Sequence, residues 1–112
     1  GLERLVSLMD APEPQAAPAY FIAALGGAAH REALRLAEAL RAGGVAVEMD
    51  HSDRSLKAQL KRADRLGARR VVILGEEELT RGEAPVRDLA ARRQEAYPLE
   101  GLADRLIQEA SS

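Results

Sequence analysis

The stretch Asp50–Glu78, DHSDRSLKAQLKRADRLGARRVVILGEEE, decides the fold. It reads as a strand end, a polar turn, a basic helix over 53–66, and a buried strand that stops at Gly75 before three glutamates. Leu56, Leu60 and Ala63 recur at i, i+4 and i+7, the spacing of one helix face. Arg54, Lys57 and Lys61 run beside them on a second stripe. Asp53 or Ser55 can cap the first turn by accepting backbone N–H bonds, and Gly67 closes the helix. VVIL over 71–74 is a continuous apolar run, which suits a strand covered on both faces.

Upstream, AYFIAAL over 19–25 is a second such run. Gly26 and Gly27 break it. A helix follows over 28–42, with Ala29, Ala33, Leu36, Ala37 and Leu40 on one side. Gly43 and Gly44 end that helix, and 45–49 is a further strand. The pattern is βαβαβ, and right-handed crossovers make of it a parallel sheet covered on both faces. Downstream, 76–80 reads as a turn, and 85–89 and 92–97 as strands. Their spacing is too short for a crossover helix, so at least one of them runs antiparallel. An amphipathic helix over 99–110 presents Leu99, Leu102, Ala103, Leu106, Ile107 and Ala110 on one face.

Residues 11–18 (APEPQAAP) hold three of the five prolines and read as a semi-rigid linker at a domain boundary. Before it, GLERLVSLMD is a short amphipathic piece that opens mid-pattern, as a fragment of a longer chain would.

The 112 residues suffice for one domain and one core. With one Phe, two Tyr and no Trp, the core rests on Leu, Val, Ile and Ala, and binding by stacking bases on several aromatics is not expected. The absence of Cys excludes disulfides and thiolate metal sites. His30 and His51 sit in different segments, so no metal centre is expected. No apolar run approaches a membrane span and no signal peptide is visible, so the expected setting is cytoplasmic, away from the membrane. Between Arg54 and Arg70 there are seven Lys/Arg against one Asp, in a chain of net charge -2. Such concentration points to a polyanion, nucleic acid first; the plain alternative is a solvated helix.

Gly26–Gly27 lies where dinucleotide folds hold phosphate, but neither GxGxxG nor a P-loop is present, and a simple turn is the better reading. A receiver-like module would need a carboxylate at this strand end, and a flavodoxin-like module would need flavin binding. Glu76 and Glu77 read as a solvated acidic turn. Glu78 is different beside RNA, because a carboxylate accepts from base amino and imino groups. Arg87, on the next strand, offers a planar fork for a base edge or phosphate; by alternation alone it is an outward side chain. His51 reads as a loop histidine.

The order of these parts resembles the anticodon-binding domain of class II aminoacyl-tRNA synthetases, the group shared by the histidyl, glycyl, threonyl and prolyl enzymes. The histidyl member is the most similar. The strings that carry the resemblance are LAEALRAGGVAVE, DRSLKAQLKRADRLGAR, VVILGEEEL and Gln94, and the resemblance covers 19 to about 110. GLERL is similar to the end of motif 3 of the catalytic domain, which makes Arg4 a remnant of an ATP-contacting arginine.

The resemblance implies three parts: a catalytic-domain tail over 1–10, a linker over 11–18 and the anticodon-binding domain over 19–112. It implies an α/β fold, a three-layer α/β/α sandwich on a mixed five-stranded sheet with the βαβαβ core. It implies tRNA contact through Asp53, Arg54, Lys57, Lys61, Glu78 and Arg87, with Lys61 on phosphate and Asp53, Glu78 and Arg87 reading bases. The expected partner is the anticodon loop of histidine tRNA, together with the protein's own catalytic domain in a homodimer. ATP and magnesium are implied for that parent enzyme, and no catalytic centre for this domain. Where relatives often carry an aromatic residue, this chain has Arg62, which removes a stacking group. The alternative is a regulatory paralogue, of the type that serves ATP phosphoribosyltransferase without binding tRNA.

Overall fold

A computed structural model gives the structure and describes residues 17–50 and 55–111. The elements are β1 (Tyr20–Leu25), α1 (Gly27–Ala42), β2 (Val47–Met49), α2 (Leu56–Leu66), β3 (Arg70–Gly75), α3 (Glu76–Arg81), β4 (Glu83–Asp88), β5 (Arg93–Pro98) and α4 (Leu102–Ser111). The five strands form one sheet in the order β2-β1-β3-β4-β5. β1 is parallel to β2 and β3, whereas β4 is antiparallel to β3 and β5. β4 alone runs against the rest, so the expected mixed sheet is observed.

Strand alternation sorts the apolar side chains into two cores. Tyr20, Ile22, Ala24, Val72 and Leu74 face α1 and α4, meeting Ala29, Ala33, Ala37 and Leu40 of α1 and Leu102 and Leu106 of α4. Phe21, Ala23, Val71 and Ile73 face the other way, where Leu56, Leu60 and Ala63 of α2 cover them. The three layers are therefore unequal, with α2 the lone long helix on its side among the described residues.

Three boundaries differ from the sequence reading, each for a local reason. Residues 76–81 are a short helix rather than a turn. Glu76, Glu77 and Glu78 occupy its first turn, where carboxylates favour the positive helix end, and left-handed Gly82 (φ 79) stops it. Leu79 packs against the α1/α4 core, a tertiary anchor that six residues cannot advertise. α2 begins at Leu56 because Ser55 caps it, its Oγ accepting from the Ala58 N–H at 3.2 Å. α4 begins at Leu102 because Gly101 is left-handed (φ 71) and the Leu99 N–H donates to the Gly82 carbonyl instead. The catalytic-tail and linker readings fall in 1–16, outside the described residues.

A polar network pins α4 to the sheet. The Tyr20 hydroxyl donates to the Leu106 carbonyl at 2.7 Å. Glu109 accepts from Arg70 at 2.6 Å, from the Tyr97 hydroxyl at 2.7 Å and from Arg105 Nε at 3.3 Å. The Arg105 guanidinium lies 3.8 Å from the Tyr97 ring centroid. Desolvation pushes the Glu109 carboxyl up, but the bonds from Tyr97, Arg105 and Arg70 outweigh it and leave its pKa below the ordinary value. Burial, then the Glu109 bond, raises Tyr97.

Candidate nucleic-acid interface

The apolar face of α2 packs on β1 and β3. Beyond it, among the described residues, no helix lies over the same face of β4 and β5. The register pairs Arg87 with Gln94 and Pro85 with Ala96, and such cross-strand partners share a face. Arg87, Gln94 and Ala96 are exposed, while Ala84, Val86 and Tyr97 on the opposite face are buried. The sheet thus extends past its helix as a polar shelf.

At about 100° per residue, α2 divides into two flanks. Leu60 and Asp64 turn toward the shelf, and with Arg87, Leu89 and Arg92 they line a hollow of about 310 Å3. Lys57 and Lys61 fall on that same flank and are exposed. The opposite flank turns to β1 and β2. There Gln59, 1% exposed, donates from Nε2 to the Ala24 carbonyl at 2.9 Å. Arg62 pairs with Asp50, a buried carboxylate at the end of β2. The guanidinium at 62 is engaged with Asp50, tying α2 to the strand that precedes it.

The hollow closes at the β4–β5 connection. The Ala91 N–H donates to Asp88 Oδ1 at 2.9 Å, which holds the Asp88 carboxyl below the usual carboxylate range. Arg92 then takes a left-handed conformation (φ 57), alone among the described non-glycine residues. Neither Arg92 nor Asp64 stands out in the sequence. The signal for Asp64 was its i+4 relation to Leu60; for Arg92 it was the short span between two strands, read there as part of the strand itself.

Of the expected tRNA-contacting residues, Lys57, Lys61 and Arg87 come together around the shelf. Glu78 stands apart. It pairs with Arg81 at 3.1 Å, and its carboxylate folds back over Gly75, where an added Cβ would meet Oε1 at 2.5 Å. Arg87 lies opposite Val71, near the start of β3, whereas Glu78 follows its end at Gly75. At about 3.3 Å per residue, some 13 Å of strand separates those two ends. Glu76 lies against Gly26 in the same way, so a carboxylate stands at the glycine turn where a nucleotide phosphate would have to sit. Asp53, Arg54 and Arg4 lie outside the described residues, as does His51. Among the described residues no three His, Asp or Glu side chains are placed to hold a metal ion, and no helix is long and apolar enough to cross a membrane.

Comparison with known proteins adds a family to this geometry. The model of the "Anticodon binding domain" family matches residues 20–109. A histidine–tRNA ligase of Sorangium cellulosum is 48% identical over 112 residues, covering 96% of this chain and 26% of the relative. One of Geobacillus kaustophilus is 46% identical, covering 91% and 25%. The chain therefore spans about a quarter of the length of these relatives. Among solved structures, the apo histidyl-tRNA synthetase of S. aureus superposes with a TM-score of 0.74 at 32% identity, covering 79% of this chain and 23% of that one. The RNA-binding domain of a Cryptosporidium parvum threonyl-tRNA synthetase shares the fold, with a TM-score of 0.69 at 16% identity.

Proposed function

The chain belongs to the anticodon-binding domain family, and from that premise we propose that it is the tRNA-reading part of a cytoplasmic histidine–tRNA ligase. It binds the anticodon loop of histidine tRNA on the β4–β5 shelf and helps position the acceptor end for a catalytic domain elsewhere in the protein. The observation that carries this reading is the joint placement of Lys57, Lys61 and Arg87 around an open sheet face, in a chain whose net charge is -2. Exposed cations beside a surface that no helix covers among the described residues attract a polyanion without any cost to the core.

The division of labour follows from side-chain chemistry. Lys57 and Lys61 are mobile point charges suited to phosphate. Arg87 is a planar fork on a strand, aimed by its pairing with Gln94, and suits a base edge. Glu78, Asp53 and Arg54 remain part of the proposal through the family resemblance, Glu78 as an acceptor at the far end of β3. Aminoacylation, with its ATP and magnesium, and a homodimer interface belong in this reading to the remaining three quarters of the parent protein.

The test is a low-salt binding titration with a histidine tRNA transcript and the same transcript with a swapped anticodon. Tighter binding to the matched anticodon, weakening with salt, is expected. Equal binding to both would move specificity elsewhere. Binding to neither, with a stable phosphoribosyltransferase complex instead, would overturn the tRNA reading in favour of the regulatory paralogue.

A further inference from the structure

We propose that the Asp50–Arg62 ion pair is a positioning device for tRNA binding: it fixes the roll of α2 and so sets where Lys57 and Lys61 stand. The inference deepens the tRNA reading above and rests on it. α2 meets the sheet through Leu56, Leu60 and Ala63, packed on Phe21, Ala23, Val71 and Ile73. Leu56 and Leu60 stay partly buried, and apolar contact is non-directional, so this packing leaves the roll of the helix loosely set. Two directional ties lie on the β2 flank, about one turn apart. Gln59 Nε2 donates to the Ala24 carbonyl at 2.9 Å, past Ile22, where the register of β1 with β2 ends. Arg62 reaches Asp50, the residue that follows β2.

At about 100° per residue, Lys57 lies nearly opposite Gln59, and Lys61 lies about 100° round from Arg62. The ties hold one flank and the lysines extend from the other. At a radius of about 5–6 Å, a roll of about 20° carries a side chain by about 2 Å, enough to unmake a hydrogen bond to phosphate. The Asp50 side chain is 1% exposed. An apolar pair would fill the same place without desolvating a carboxylate, so packing alone does not ask for a charge there. What the ion pair adds is direction. Arg62 itself sits on the flank away from the shelf, so it acts through the lysines rather than beside them.

The experiment titrates the full chain with a histidine tRNA transcript across a salt series. Asp50→Asn keeps the shape of the side chain and removes the tie, and Arg62, with its side chain 40% exposed, can then turn to water. Binding should weaken roughly threefold to tenfold, and the slope of log affinity against log salt should fall by about 1, because a displaced lysine no longer neutralises a phosphate. A loss of folded protein alone would lower affinity alike at every salt and leave the slope unchanged. Asp50→Leu combined with Arg62→Leu replaces the ion pair by an apolar one; it should fold as stably as the wild type and still show the reduced slope, which keeps the test open if Asp50→Asn does not fold. Unchanged affinity and slope in Asp50→Asn, or tighter binding with a steeper slope as a freed phosphate-binding Arg62 would give, refutes the positioning role and leaves the tRNA reading standing. A wild-type slope in the double variant refutes it too, by making the pair structural only. If the wild-type chain binds no tRNA at low salt, both fall.

Discussion

Glu109→Ala should cost this small domain much of its stability, because the Glu109 carboxylate is a hub of the polar network that ties α4 to the sheet. Three bonds converge on it. The one from Arg105 is at the surface (Arg105 side chain 47% exposed), and exposed pairs contribute well under about 1 kcal/mol. The other two, from Tyr97 and Arg70, are partly buried (Arg70 27%, Glu109 30% exposed). Hydrogen bonds to charged groups contribute about 1.5–3 kcal/mol when well made, and partial exposure argues for the low end. A loss of about 2–3 kcal/mol follows, which in a domain of this size lowers Tm by roughly 10–20 °C. Glu109→Gln keeps an acceptor and loses the charge, so it should lose about 1 kcal/mol.

The pH dependence separates the two effects. The folded state holds the Glu109 pKa below its ordinary 4.5. Its contribution is therefore complete above that value and is lost as pH falls through the folded pKa. Urea unfolding followed by far-ultraviolet circular dichroism, at neutral pH and in acid, measures this. The gap between wild type and Glu109→Gln should be open at neutral pH and close in acid. Equal midpoints at neutral pH, or a gap that persists unchanged into acid, would refute the reasoning.

Three further outcomes are expected. Ser55→Ala removes the α2 cap and should cost about 1 kcal/mol, read as a lower urea midpoint; an unchanged midpoint would contradict the capping bond. Lys61→Ala should weaken every tRNA alike and reduce the slope of log affinity against log salt by about 1; a loss confined to one anticodon would make it a base reader instead. Arg92→Gly relieves a left-handed residue, so it should raise stability by about 0.5–1 kcal/mol, read as a higher urea midpoint. A drop in stability would show that Arg92 is held by contacts worth more than its backbone cost.

The sequence announced those parts of the fold whose periodicity is uninterrupted. β1 and β3 are buried on both faces and so appear as unbroken apolar runs. α1 and α2 show their inner stripes, and the short spacing of the strands expected over 85–89 and 92–97 called for a reversed strand, which β4 is. α3 was invisible because its one apolar anchor, Leu79, is defined only by the helices it meets. The site was legible by half. Lys57, Lys61 and Arg87 carry their charge openly, and the structure brings them to one surface. Asp64 was counted only as the lone acid in a basic helix, and the hollow it lines with Arg87 and Arg92 joins residues more than twenty apart along the chain. Glu78 and Arg87 were both expected to read bases, but an antiparallel return carries the second to the opposite end of β3.

The uneven covering of the sheet has an evolutionary reach. Arg87 and Gln94 sit on strands whose inward residues, Val86 and Tyr97 among them, hold the domain together from behind. A substitution on the outer side of β4 or β5 changes what the surface prefers while leaving the fold's anchoring residues alone. Preference can therefore drift by small steps, each tolerated by the scaffold, and one architecture can come to serve different RNA loops without being rebuilt.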